Sequence, residues 1–283
     1  NCTKLKQMQM PDTVSEIGKS LFFGCSSLEN VKISKNITEI AYQMFHTCSL
    51  LTEIEVPEGV TIIEAGAFNW CKNLNKITLP STLQEIVANS FASCSKLKSI
   101  DIHEDANYIF ENGILMNKEK TEMRFISSDV LNSDTFYIPD GIEKLEPGIF
   151  QNANNIKKIV IPASVTFIEV SFFPYSIEEI EIDEDNSKYM FSNNNIYSKD
   201  KKTLYMSLSK DKELVVEEGV EVIGAKALSK VKSEIIHLPD SLKKIEYYGI
   251  WNNYTKKITI GKNIQEIARS TFLDCRQLTD VQI

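Results

Sequence analysis

A block of residues repeats every 23 positions through the first third of the chain, and this constrains the fold more than any other feature. Val14-Ser-Glu-Ile17 recurs as Ile37-Thr-Glu-Ile40, Val60-Thr-Ile-Ile63 and Leu83-Gln-Glu-Ile86. Phe22, Phe45, Phe68 and Phe91 keep the same step, as do Cys25, Cys48, Cys71 and Cys94, and Leu28, Leu51, Leu74 and Leu97. Val31/Ile33, Ile54/Val56, Ile77/Leu79 and Ile100/Ile102 complete the unit. A block this short cannot bury its own apolar side, so neighbouring blocks must stack and share one continuous core.

The pattern resumes with edits. Ile142, Leu145, Phe150, Ile156, Ile159 and Ile161 form a full unit, with Ala153 in the Cys position. The unit from Val165 is two residues shorter and crowds Phe172, Phe173 and Pro174. Units of 22 residues start at Val220 and Leu242, and a last, unfinished one starts at Ile264. Two segments interrupt the series, 106–141 and 186–219, and they resemble each other: Tyr108-Ile-Phe110-Glu-Asn112 parallels Tyr189-Met-Phe191-Ser-Asn193. Alternating apolar residues around polar turns predict β-hairpin insertions that continue the stack. The expected organisation is therefore one solenoid over residues 1–283, cut within a repeat at both ends and so a segment of a longer chain.

Within each unit the Ile-x-Ile/Val spacing has the period of a strand, which turns both apolar residues inward and the residue between them outward. Successive turns are then expected to pair as parallel strands about 4.8 Å apart. The run from the second Ile to the repeat Leu is too short for a long helix. It predicts a turn or a single helical or 3₁₀ turn, with Phe wedged into the core.

This ladder resembles the BspA-like leucine-rich repeats of bacterial and protist surface proteins. Segments such as Ile33-Ser-Lys-Asn-Ile37-Thr-Glu-Ile40 and Ala67-Phe68-Asn-Trp-Cys71-Lys-Asn-Leu74 carry the resemblance, which spans essentially the whole chain. It implies a repeat solenoid: a right-handed superhelix, mostly β, with short helical or 3₁₀ turns, a parallel sheet and the hairpin insertions. It also implies a non-catalytic binding module, secreted or at the cell surface, that mediates adhesion to an extracellular, host or matrix protein and acts as a monomer. A structural spacer that presents another domain, and a glycan-binding accessory module of a larger enzyme, are the alternatives.

Composition excludes other classes. The net charge of −8 argues against nucleic acid as a partner. No apolar run approaches the roughly 18 residues that span a bilayer, so no membrane insertion is expected. With 3 His and no phosphate-loop, nucleophile-elbow or zinc-helix motif, no enzymatic activity, catalytic residue, cofactor or metal site is expected. His46, His103 and His237 read as exposed or capping residues. The six Cys share one repeat position and read as free, buried thiols acting as small hydrophobes, since side-by-side Cβ vectors do not suit disulfides. Glu104-Asp105 and Asp183-Glu184-Asp185 read as solvated strand ends and not as calcium loops. Trp70 and Trp251 sit beside the wedge Phe position or in its place, with Tyr247, Tyr248 and Tyr254 near Trp251, and read as space-filling groups, with docking of protein or glycan as the alternative. Asn1-Cys-Thr3, Asn36-Ile-Thr38 and Asn253-Tyr-Thr255 match the N-glycosylation pattern at a frequency expected by chance.

The outward strand positions form the candidate partner-binding face, because solenoids recognise partners across such surfaces. It comprises Lys32, Glu55, Thr78, Asp101, Glu181, His237 and Thr259, with Glu53, Lys76 and Lys158 one pleat earlier. Gln9, Asn30, Ser99 and Val160 flank them.

Overall fold

A computed structural model describes residues 1–146, 148–151, 153–169, 173–251 and 254–283. Phe172 of the shortened unit and Asn253 of the third glycosylation pattern lie outside the described residues. The fold is a β-solenoid of about 12 turns with parallel sheets and almost no helix. It resolves into two compact units. One comprises Asn1–Phe136, Gly141–Ile156 and Phe167–Ser176; the other Tyr137–Asp140, Lys157–Thr166 and Ile177–Ile283.

In the first unit the turns that start at Ile37, Val60 and Leu83 each contribute two strand positions. The longer strands, among them Glu53–Glu55, Lys76–Leu79 and Ser99–Ile102, pair in parallel, with Ile54 on Ile77 and Ile77 on Ile100. That register is the 23-residue sequence step made physical. The second row is shorter: Glu39–Ile40, Ile62–Ile63 and Glu85–Ile86 also pair in parallel. The sequence places a core ladder at these positions, and the backbone makes of it a second narrow sheet.

The run between the rows is a hydrogen-bonded turn. Its amides alternate in direction. Those of Gln43, Phe45 and Thr47 donate to the carbonyls of Ala65, Ala67 and Asn69 in the next turn, and those of Met44, His46 and Cys48 donate back to Ala41, Gln43 and Phe45. Buried backbone polar groups are thereby paired without a regular helix. This path requires left-handed backbone on each side of the wedge Phe. Ser20, Gln43, Gly66 and Asn89 precede it, and Gly24, Thr47, Trp70 and Ser93 follow it, with φ between 52° and 70°.

The core is a column. Phe22, Phe45, Phe68 and Phe91 stack with centroids 5.4, 5.4 and 5.6 Å apart, and the last two pairs lie within 4° of parallel. Phe125, from the first insertion, ends the column edge-on at 6.1 Å. Leu28, Leu51, Leu74 and Leu97 form a parallel column with no solvent exposure. Each buried Phe or Leu stabilises the stack by about 1.5–3 kcal/mol relative to an exposed one.

Both insertions are three-stranded antiparallel meanders, one strand longer than the predicted hairpins. The first runs Tyr108–Glu111, Ile114–Asn117, Met123–Ile126, and the second Tyr189–Ser192, Asn195–Ser198, Thr203–Ser207. Asn112 and Gly113 in one, and Asn193 and Asn194 in the other, have positive φ at both turn centres, as a two-residue hairpin connection requires. Tyr108, Leu115 and Phe125 join the core of the first unit. In the second unit Thr203–Ser207 pairs in parallel with Val222–Ile223, whose sheet continues through Lys244–Ile245 and Glu266–Ile267.

The second unit keeps the two-row plan with different wedges. Leu228 and Ile250 are fully buried where Phe stands in the first unit. Ile250 therefore fills the slot, and Trp251 is left half-buried on the outside, against Tyr248 at 6.3 Å and Lys226 at 5.9 Å. The reading of Trp251 as a replacement wedge is corrected: a branched aliphatic one residue earlier is the group aimed inward.

Candidate protein-binding face

Alternation along the longer strands builds the face. Ile54 and Ile77 are buried; Glu53, Glu55 and Lys76 on either side of them are exposed, and Thr78 is half-buried. Parallel pairing places Glu53 opposite Lys76 and Glu55 opposite Thr78, then Lys76 opposite Ser99 and Thr78 opposite Asp101. Gln7, Gln9, Asn30, Lys32, Glu53, Glu55, Lys76 and Thr78 line an open groove of about 400 Å³. Six of the candidate residues thus lie on one surface of the first unit: Lys32, Glu53, Glu55, Lys76, Thr78 and Asp101.

Their charges are unevenly satisfied. Lys76 Nζ lies 2.7 Å from Asp101 Oδ2, and that hydrogen bond raises the Lys76 pKa above its ordinary value. Among the described residues Lys32, Glu53 and Glu55 make no ion pair within 4.0 Å. One end of the groove is self-neutralised, and the other presents one ammonium and two carboxylates to solvent.

The remaining candidates lie in the second unit and are engaged with their neighbours. Lys158 Nζ reaches Glu179 at 2.7 Å and Glu181 at 2.9 Å, and the two carboxylates, Glu179 first, raise its pKa. His237 Nε2 lies 2.9 Å from Glu213 Oε1, and Thr259 stands opposite His237 in the parallel register. Gln7 and Glu213 were not singled out from the sequence. For Gln7 the signal was present, because it lies two residues before Gln9, whereas Glu213 sits in the segment that rejoins the repeat after the second insertion, where no outward position was read.

The other conspicuous residues have local explanations. Asp183 Oδ1 accepts from the Asp185 amide at 2.8 Å, and His103 Nδ1 lies 3.4 Å from Asp105 Oδ2, so both acidic runs shape turns. Lys118 and Lys199 then donate to the carbonyls of Glu104 and Glu184, tying each meander to the strand end before it. Among the described residues no group of three or more His, Cys, Asp or Glu side chains is placed to hold a metal. No described helix is long and apolar enough to cross a membrane.

All six cysteines are free thiols. Burial raises Cys48 and Cys94 to about 12, so they are protonated and unreactive. They are also more than small hydrophobes: the thiols of Cys48, Cys71 and Cys94 donate to the carbonyls of Phe22, Phe45 and Phe68. Cys2 is exposed and Cys275 half-buried, so burial does not extend to every member of the series. His46 departs from the expected exposed or capping role. It is half-buried and stacks on Phe23 at 4.7 Å.

A sequence profile described as BspA type leucine rich repeat region (6 copies) matches residues 1–122, 122–203 and 200–283. No curated protein matches the chain. Among solved structures the chain is similar to a leucine-rich repeat protein from Eubacterium ventriosum ATCC 27560, with 24% identity and a TM-score of 0.56. That match covers 82% of this chain and 60% of the other, so the chain spans three fifths of that protein's length. It is also similar to a leucine rich cell surface protein from Faecalibacterium prausnitzii A2-165, with 22% identity and a TM-score of 0.52, covering 100% of this chain and 74% of that one. At these identities the likeness establishes a shared fold.

Proposed function

The chain belongs to the BspA-type leucine-rich repeat family, and from that premise we propose that it is a non-catalytic, surface-exposed module that binds an extracellular protein through the sheet face of its first unit. The carrying observation is the groove from Gln7 to Thr78, where Lys32, Glu53 and Glu55 make no ion pair within 4.0 Å among the described residues. Charges held on a rigid sheet without partners steer a complementary surface and set its register. The pairs around Lys158 and His237 are already satisfied, which directs the reading to the first unit. Surface placement is supported by the cell-surface description of the Faecalibacterium protein.

The test is an array of extracellular-matrix and serum proteins probed with the full chain and with a Glu55→Lys, Lys76→Glu double variant. The expected result is saturable binding to at least one protein, weakened tenfold or more by the double reversal. Equal binding by both chains removes the groove from the reading, and no binding at all favours the spacer.

A further inference from the structure

One turn of the first unit carries a residue that the solenoid does not need. The position two residues after the wedge is left-handed and holds Gly24, Thr47, Ser93 and Asp274 in other turns, all small or polar. In the third turn it holds Trp70 at φ 65°, a conformation that disfavours a bulky side chain. The indole fills no core slot, because Phe68 does, and it is 44% exposed. A large aromatic ring is thus held outward at a strained position without contributing to the column.

Around it the described lining is mostly polar and neutral. A pocket of about 560 Å³ is lined by Asn69, Trp70, Lys72, Ser93, Ser95 and Gln151. Lys72 Nζ lies 4.8 Å from the ring centroid. The Ser93 hydroxyl donates to Gln151 Oε1 at 3.1 Å, which fixes that carboxamide at the rim. Asn69 Oδ1 is buried and has no hydrogen-bond partner among the described residues. The lining is one indole, two carboxamides, two hydroxyls and one ammonium, with no carboxylate, in a chain of net charge −8.

We propose that this pocket binds a glycan, with a pyranose ring stacked on Trp70. The C–H face of a pyranose is apolar and edge-positive, which suits the negative face of an indole. Sugar hydroxyls both donate and accept, and carboxamide and hydroxyl side chains answer both. The volume lies within the range of small-ligand sites. A protein partner would call for a broader cluster of anchors than one aromatic ring in a polar pocket. The pocket shares no lining residue with the groove from Gln7 to Thr78, so this inference stands apart from the proposed protein-binding face.

The test uses the full chain on an array of immobilised malto-, cello- and β-1,3-gluco-oligosaccharides and of galactose-, uronate- and sialate-terminated glycans. Tryptophan-fluorescence titration follows with any oligosaccharide retained. Trp70→Gly is the decisive variant, because Gly24 occupies the same backbone position and folds there. Saturable binding is expected, weakened at least tenfold in Trp70→Gly and several-fold in Gln151→Ala, and unchanged in Trp251→Phe and Glu55→Lys. Trp70→Gly is expected to melt no lower than the parent, which separates lost binding from lost fold. Retention of no glycan, or full binding by Trp70→Gly, overturns the proposal. So does a bound glycan whose affinity falls with Trp251→Phe in place of Trp70→Gly.

Discussion

The thiol of Cys71 donates a hydrogen bond to the carbonyl of Phe45, 26 residues earlier in the chain, across 3.1 Å. The same carbonyl already accepts from the amide of Cys48 at 3.0 Å, so the thiol of the next turn occupies its second lone pair. Cys48 and Cys94 repeat the contact to Phe22 and Phe68, and Cys275 makes it to Ile250 at 2.9 Å. One side chain thereby packs the column and links each turn to the one before.

Cys71→Ala removes the bond and leaves a small void. It should destabilise the chain by about 1–2 kcal/mol, against about 3–5 kcal/mol for Phe68→Ala in the same column. Urea denaturation followed by far-UV circular dichroism measures both. A Cys71→Ala midpoint equal to the parent's would show that the thiol contact contributes nothing.

Thiol accessibility follows the position in the column. Cys25, Cys48, Cys71 and Cys94 are buried, and burial holds Cys48 and Cys94 up at about 12. An aromatic disulfide reagent at pH 8 should label Cys2 and Cys275 in the native chain and all six cysteines in urea. Rapid native labelling of Cys71 would mean that the column opens.

The left-handed positions make an opposite pair of predictions. At Gly66, φ is 66° and an added Cβ would stand 3.2 Å from Gln43 Cγ, so Gly66→Ala should destabilise by about 1–2 kcal/mol. Ser270 is exposed at φ 58° at the equivalent place in its turn, so Ser270→Gly should raise stability by up to about 1 kcal/mol. Thermal melts of both variants against the parent settle the signs.

His46 gives the fold a pH dependence. Burial lowers its pKa below the ordinary 6.5. Below that value the unfolded chain takes up a proton that the folded chain resists, so stability falls as pH drops through 6.5 and levels off beneath the folded value. His46→Phe keeps a ring against Phe23 and removes the titration. Denaturation midpoints between pH 7.5 and 5 should fall less steeply in the variant; parallel curves would count against the assignment.

The groove charges concern recognition and not folding. Lys76 and Asp101 are both about half exposed, at 46% and 52%. Lys76→Ala should therefore shift stability by less than about 1 kcal/mol. A larger loss by urea titration would mark the pair as structural.

Much of this architecture was legible because stacking multiplies one short pattern. Each apolar position is written several times, so Ile54, Ile77 and Ile100 declare an inward column even if any one of them is ambiguous. The groove residues followed from strand period alone. The second row of two-residue strands was not legible, because Ile62-Ile63 is too short to show alternation. The meanders' extra strands were hidden for a related reason: the turns at Asn112-Gly113 and Asn193-Asn194 are only two residues long, so the two strands on either side of each read as one alternating run of a simple hairpin. Trp251 was misplaced because a 22-residue unit shifts the wedge by one position, and only packing decides between Ile250 and its neighbour.

By itself the sequence determined the repeat, the stacked columns of Phe, Cys and Leu, and the side of each strand that meets water. These are consequences of period and hydrophobicity, which act locally and recur in every unit. Only the tertiary structure decided which charges are neutralised, that Cys71 bonds to Phe45, and that Trp70 points outward into a pocket with Gln151. Those outcomes depend on distances between residues of different turns. Such distances exist only once stacking has fixed the rise from one turn to the next.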